Sequence, residues 1–166
     1  MTIRIVADST CDLPAETAAR CGIRVVPLYT NVGAQGFRDG IDMTREDFYR
    51  RLPFFPAHPT TAAPGQQKFR ELYDSLASES TTQVLSIHIL GRLSSVMDVA
   101  RLAAQEATST DVTVFDSRQL SLGTGFLVET AAVLAAQGRS INEITASLNH
   151  QIKRSHVFAA LNTWSS

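Results

Sequence analysis

Asp8-Ser9-Thr10-Cys11-Asp12-Leu13-Pro14, directly after the apolar run Ile3-Arg4-Ile5-Val6-Ala7, decides how this 166-residue chain folds. An apolar run of strand length that ends in small polar residues, with Asp12 placed to cap and Pro14 suited to a first helical turn, reads as a parallel strand entering a helix. In open α/β sheets ligands bind outside the carboxyl ends of such strands. The same residues favour turns on their own account, so Asp8, Ser9 and Thr10 have a second reading as groups that only satisfy backbone.

Outward from this segment, short apolar runs rich in β-branched residues alternate with longer amphipathic ones. That is the pattern of an α/β domain, a mostly parallel sheet flanked by helices. Strands are expected over 3–7, 23–28, 84–88, 112–116 and 156–161. Helices are expected over 14–21, from Thr44 with its capping-box-like Thr-x-x-Asp, and over 65–78, 94–107, 120–137 and 141–153. The stretch 29–40, with Gly33, Gly36 and Asp39-Gly40, predicts a small hairpin decorating a sheet edge. At the end of the chain the apolar run Val157-Phe158-Ala159-Ala160-Leu161 and then Trp164 read either as an edge strand or as the point where a longer polypeptide continues.

Composition excludes several classes of function. With 44% hydrophobic and 19% charged residues and a formal charge of −1, the chain is an ordinary folded domain with no basic footprint for nucleic acid. No apolar run reaches the ~18 residues of a membrane span, and no signal-peptide core follows Met1, so a cytoplasmic location is expected. Cys11 and Cys21 are too few for a disulfide framework, and Cys11 reads as a small buried thiol. His58, His88, His150 and His156 lack metal spacing, and Gly123-Thr124-Gly125 falls inside a predicted helix, so neither metal nor cofactor is expected.

Three further junctions carry hydroxyls. Pro59-Thr60-Thr61-Ala62-Ala63-Pro64 is bracketed by prolines into a rigid loop, in which Thr61 either points at a ligand or caps the next helix. Ile87-His88-Ile89-Leu90-Gly91-Arg92-Leu93-Ser94-Ser95 places Ser94 and Ser95 at a helix N-terminus, where free N–H groups favour an anion. Ser95-x-x-Asp98 also fits a capping box. Phe115-Asp116-Ser117 is the last of the three. Hydroxyls at one sheet edge make an anion site, and an enzyme would need a base as well. His88 with Ser94 is the candidate pair for phosphoryl or acyl transfer, against a structural role for His88.

In this order the segments resemble the DegV family of bacterial lipid-binding proteins, whose members open with an Asp-Ser-Thr-x-Asp-Leu-Pro turn. The likeness continues through Val25-Val26-Pro27-Leu28, Phe37-Arg38-Asp39-Gly40, Pro59-Thr60-Thr61, Leu85-Ser86-Ile87-His88, Leu93-Ser94, Ala100-Arg101-Leu102-Ala103 and Asp116-Ser117. The resemblance implies a two-domain carrier that binds a long-chain fatty acid through its carboxylate. It implies too that the carrier presents the acid to a partner kinase for acyl-phosphate formation. By position Thr61 and Ser94 would hold the carboxylate, with Ser9 and Thr10 beside it. Departures from the family pattern fall at Thr61-Ala62-Ala63-Pro64, at Ser94-Ser95-Val96 and at Arg92, which either blocks the site or supplies a counter-charge. Residues 1–166 would then form the N-terminal lipid-binding domain, the second domain would begin just after Trp164, and its absence would favour a homo-oligomer. The remaining alternative is a regulatory domain that has lost its ligand.

Overall fold

The computed structural model describes residues 2–77, 83–158 and 160. In chain order the elements are β1 (Ile3–Asp8), α1 (Ala15–Arg20), β2 (Arg24–Val26), β3 (Tyr29–Val32), β4 (Gln35–Arg38), α2 (Arg45–Arg51) and β5 (Thr60–Ala62). They continue as α3 (Gln66–Ala77), β6 (Gln83–His88), α4 (Val96–Glu106), β7 (Asp111–Asp116), α5 (Leu122–Ala136) and α6 (Ile141–Ile152). Four strands form a wholly parallel sheet in the order β2-β1-β6-β7, and β4-β3-β5 form a separate antiparallel sheet.

Period-two alternation sorts the strand residues onto two helical layers. Ile5 and Ala7 of β1, with Leu85 and Ile87 of β6, face Leu127, Val128 and Ala131 of α5 and Ile144 and Leu148 of α6. Val6 and Val84 face the other way, onto Phe69, Tyr73 and Leu76 of α3 and Val96, Ala100 and Ala103 of α4. Both faces of β1 are therefore covered, and it reads as a continuous apolar run, as buried parallel strands do. The same alternation puts Asp8, Ser86 and His88 on the α3 face with no exposed surface at all.

Several expectations are corrected. The strand expected over 23–28 pairs only through Arg24–Val26, because Pro27 has no N–H for the ladder. The loop 59–65 contains a short edge strand, β5, bonded on one side to β3, an edge position flanked by Pro59 and Pro64. The hairpin therefore belongs to its own three-stranded sheet. The strand expected over 156–161 is not formed across its described residues. Instead Val157 lies over the start of α5, where its Cγ2 stands 2.7 Å from where a Cβ on Gly123 would be. Residue 159 and residues 161–166, Trp164 included, lie outside the described residues, as does Ser78 at the expected end of α3.

Candidate functional site

Where β1 and β6 end side by side, their last polar residues make one buried chain of hydrogen bonds. Ala7 pairs with Ile87, so the next residues, Asp8 and His88, fall in register. His88 Nδ1 meets Asp8 Oδ2 at 2.9 Å, and Nε2 meets Ser86 Oγ at 2.8 Å. Tyr73 of α3 donates its hydroxyl to Ser86 Oγ at 2.9 Å, and the His88 ring stands edge-on to Phe69. The Ile89 and Thr10 amides and the Thr10 hydroxyl donate to Asp8. Burial works to push the Asp8 carboxyl up, but the bond and charge of His88, with Thr10 and the Ile89 amide, outweigh it and hold the group below its ordinary range. His88 touches Asp8 and Ser86 rather than Ser94, and its full burial leaves no ring edge for a substrate.

The turn that follows is a single 3-10 turn, Ser9–Cys11, ended by Asp12 in the left-handed region at φ 56°. Left-handed backbone at a non-glycine residue needs outside support. Asp12, expected to cap α1, instead turns its carboxylate outward: Arg45 Nη1 meets Oδ1 at 2.5 Å, and Ser121 Oγ donates to Oδ2 at 2.5 Å. Ser121 is itself strained, at φ 49° and ψ −136°. Arg45 Nη2 also donates to the Ser9 carbonyl at 3.0 Å, so one guanidinium ties α2 to the turn.

Two clefts flank this knot. The first, about 410 Å³, lies between the turn, the small sheet and α2, with Thr10, Thr30, Thr61 and Ser121 as its aliphatic hydroxyls, the Tyr49 phenol at its edge, and Phe37, Met43 and Phe48 among its apolar walls. The second, about 720 Å³, runs between α1, the β2 edge and the loop at Ile41, and is walled by Leu13, Pro14, Ala18, Ile23, Val25 and Pro27. Asp12, Asp39 and Arg45 line both, so the Arg45–Asp12 pair is part of the partition between them.

Of the residues singled out from sequence, Thr61 and Thr10 meet on the first cleft. Ser9 is nearly buried beside the second, its Oγ accepting from the Leu28 amide at 3.1 Å, so it holds the turn to the loop after β2. Ser94, Ser95 and Arg92 line neither cleft. Ser94 Oγ accepts from the Val96 amide at 3.3 Å. Ser95 begins α4 without a side-chain cap, so the expected capping box with Asp98 is absent: Ser95 already has right-handed helical angles, and Asp98 pairs with Arg101. Arg92 is exposed and has no partner among the described residues. Sequence reasoning missed Arg45, Asp39 and Ser121. Arg45 looked like an ordinary first-turn residue of α2, and Ser121 sat inside an expected helix. Cys11 is buried as expected, and burial pushes its thiol up to about 11, which leaves it protonated and unreactive at neutral pH.

Comparison with known proteins gives the family and the fold. A family model described as uncharacterised protein, DegV family, matches residues 2–165. A DegV domain-containing protein of Deinococcus radiodurans is 38% identical over 148 residues, 89% of this chain and 52% of that relative. Among solved structures, a Thermus thermophilus DegV family protein described by its fatty acid binding matches with a TM-score of 0.83 at 38% identity, covering 92% of this chain and 54% of its own. DegV of Bacillus subtilis, described as a fatty acid binding protein, matches with a TM-score of 0.88 at 30% identity over the same shares. The chain thus spans about half the length of the relatives it matches.

Proposed function

The chain belongs to the DegV family, and from that membership we propose that it binds a long-chain fatty acid by its carboxyl group and acts as a carrier rather than a catalyst. The observation that carries the reading is the match, at 38% identity and a TM-score of 0.83, to a protein described by its fatty acid binding. The hydroxyl-bearing cleft at the carboxyl edge of the sheet supports it, because that is where this architecture offers a site. Thr61, which lines this cleft, is the proposed head-group contact; Ser94, outside the cleft at the start of α4, is proposed as the second from the family pattern alone, and a partner kinase that forms acyl phosphate is the proposed recipient.

Magnitudes divide the labour. A hydrogen bond to a charged group contributes about 1.5–3 kcal/mol, and burial contributes about 0.8 kcal/mol per methylene. An acyl chain of a dozen methylenes therefore outweighs its head group: the apolar walls set affinity and the hydroxyls set orientation. The test is mass spectrometry of lipid released from denatured, purified protein, followed by titration with a fluorescent fatty acid. Co-purified fatty acid and saturable binding are expected, with Thr61→Val and Ser94→Ala each weakening binding about tenfold. A phosphorylated metabolite in place of lipid, or full-strength binding by both variants, would overturn the carrier or the head-group assignment respectively.

A further inference from the structure

The hydroxyls of the first cleft are not equivalent donors, and the difference comes from what each already bonds. A hydroxyl has one proton, and an ionised carboxylate can only accept. Thr10 Oγ1 bonds Asp8 Oδ1 and Ser121 Oγ bonds Asp12 Oδ2, so both protons are spent inside the protein. Toward the cleft these two residues turn only lone pairs. The hydroxyls of Thr30 and Thr61, opposite each other across the β3–β5 ladder, have no side-chain hydrogen bond among the described residues and keep their protons.

Charge points the same way. The titratable groups facing the cleft are Asp12 from the turn, Asp39 from the end of the hairpin, and Arg45 and Tyr49 from α2. Among the described residues Arg45 is the one cation of the lining, and Asp12 already holds it at 2.5 Å. The Asp39 carboxylate has no partner among the described residues. Two carboxylates against one guanidinium leave the lining with a net negative charge, which disfavours an ionised head group.

We infer that the cleft is built for an uncharged head group that both donates and accepts, so that it takes its fatty acid as the protonated carboxylic acid, with Thr30 and Thr61 donating and Thr10, Ser121 and Asp39 accepting. This rests on the fatty-acid reading and specifies the state in which the acid is held. A primary amide or an alcohol on the same acyl chain meets the requirement at any pH, whereas a methyl ester, which only accepts, does not.

The test is calorimetric or fluorescence-competition binding of decanoic acid, decanamide, decan-1-ol and methyl decanoate to the 166-residue chain between pH 5.5 and 8.5. Expected are a loss of affinity for decanoic acid of about tenfold per pH unit above the carboxyl pKa, no such slope for the amide, and at pH 7.5 a preference of about tenfold or more for amide over acid. Ser121→Ala, an exposed position whose loss spares the core, should weaken decanamide and protonated decanoic acid alike while leaving methyl decanoate unaffected, and Thr10→Val should do the same. Binding of decanoic acid that is tight and independent of pH, or an ester as good as the amide, overturns the inference while leaving fatty-acid binding intact, and would assign the head group to Arg45. Failure of every acyl probe to bind overturns the carrier reading and this inference with it.

Discussion

At the scale of single residues the buried Asp8–His88–Ser86–Tyr73 chain carries the clearest consequences. Removing a hydrogen-bond partner of a buried carboxylate leaves that group under-satisfied, at a cost of about 1–3 kcal/mol. His88→Ala is therefore expected to lower unfolding free energy by that amount in denaturant titration, and Tyr73→Phe, which removes one neutral hydrogen bond, by about 1 kcal/mol. The Asp8 carboxyl is held below its ordinary 3.8 in the folded state. A depressed carboxyl contributes stability that is complete above 3.8 and is lost as pH falls through the folded value, so stability should decline below pH 3.8 and Asp8→Asn should flatten that acid limb. A thiol pushed to about 11 inside the core is shielded from electrophiles. Iodoacetamide at pH 8 on native protein is expected to label half-exposed Cys21 and spare Cys11, and labelling of Cys11 at a comparable rate would disprove its burial. This chain of residues was half legible: the sequence placed Asp8 and His88 at strand ends on one sheet edge, but their contact depends on register, which a single sequence does not state.

At the scale of elements, the helices rest on close fits and caps that can be tested one at a time. A Cβ at Gly125 of α5 would stand 2.5 Å from the Cys11 carbonyl oxygen, so Gly125→Ala must push the helix off the turn. A loss of about 2 kcal/mol or more is expected in thermal unfolding. Ser140 begins α6 with a full capping box, its side chain accepting from Glu143 N while Glu143 reaches back to the Ser140 amide, and Ser140→Ala should cost about 1 kcal/mol. That box, the Thr44 cap of α2 and the four parallel strands were legible because each follows from local pattern. The β5 strand was not, nor was the irregular path of the described residues 156–158. In both segments local propensity competes with pairing partners that are distant in sequence, and tertiary pairing decided. The knot of Asp12, Arg45 and Ser121 was hidden for the same reason, since those residues come from three elements.

For the molecule as a whole, α5 is apolar on both sides. Leu127, Val128 and Ala131 are buried, while Leu122, Phe126 and Val133 form an exposed stripe in which Phe126 is 56% accessible. Such a stripe promotes association, and sedimentation velocity is expected to show concentration-dependent oligomers that Phe126→Glu suppresses; a monomer at every concentration would refute the role of the stripe. Connectivity has a further effect, on how the chain is made. Asp8 and His88 are separated by 80 positions, and at about 5–20 residues per second of ribosomal synthesis the carboxylate waits roughly 4–16 s for its imidazole. During those seconds β1 can pair only with β2, and its second edge lies open to other nascent chains or to a chaperone. Ribosome-stalled chains that end before β6 should be digested rapidly by protease, and resistance should arise in one step once β6 and the helix that covers it have emerged.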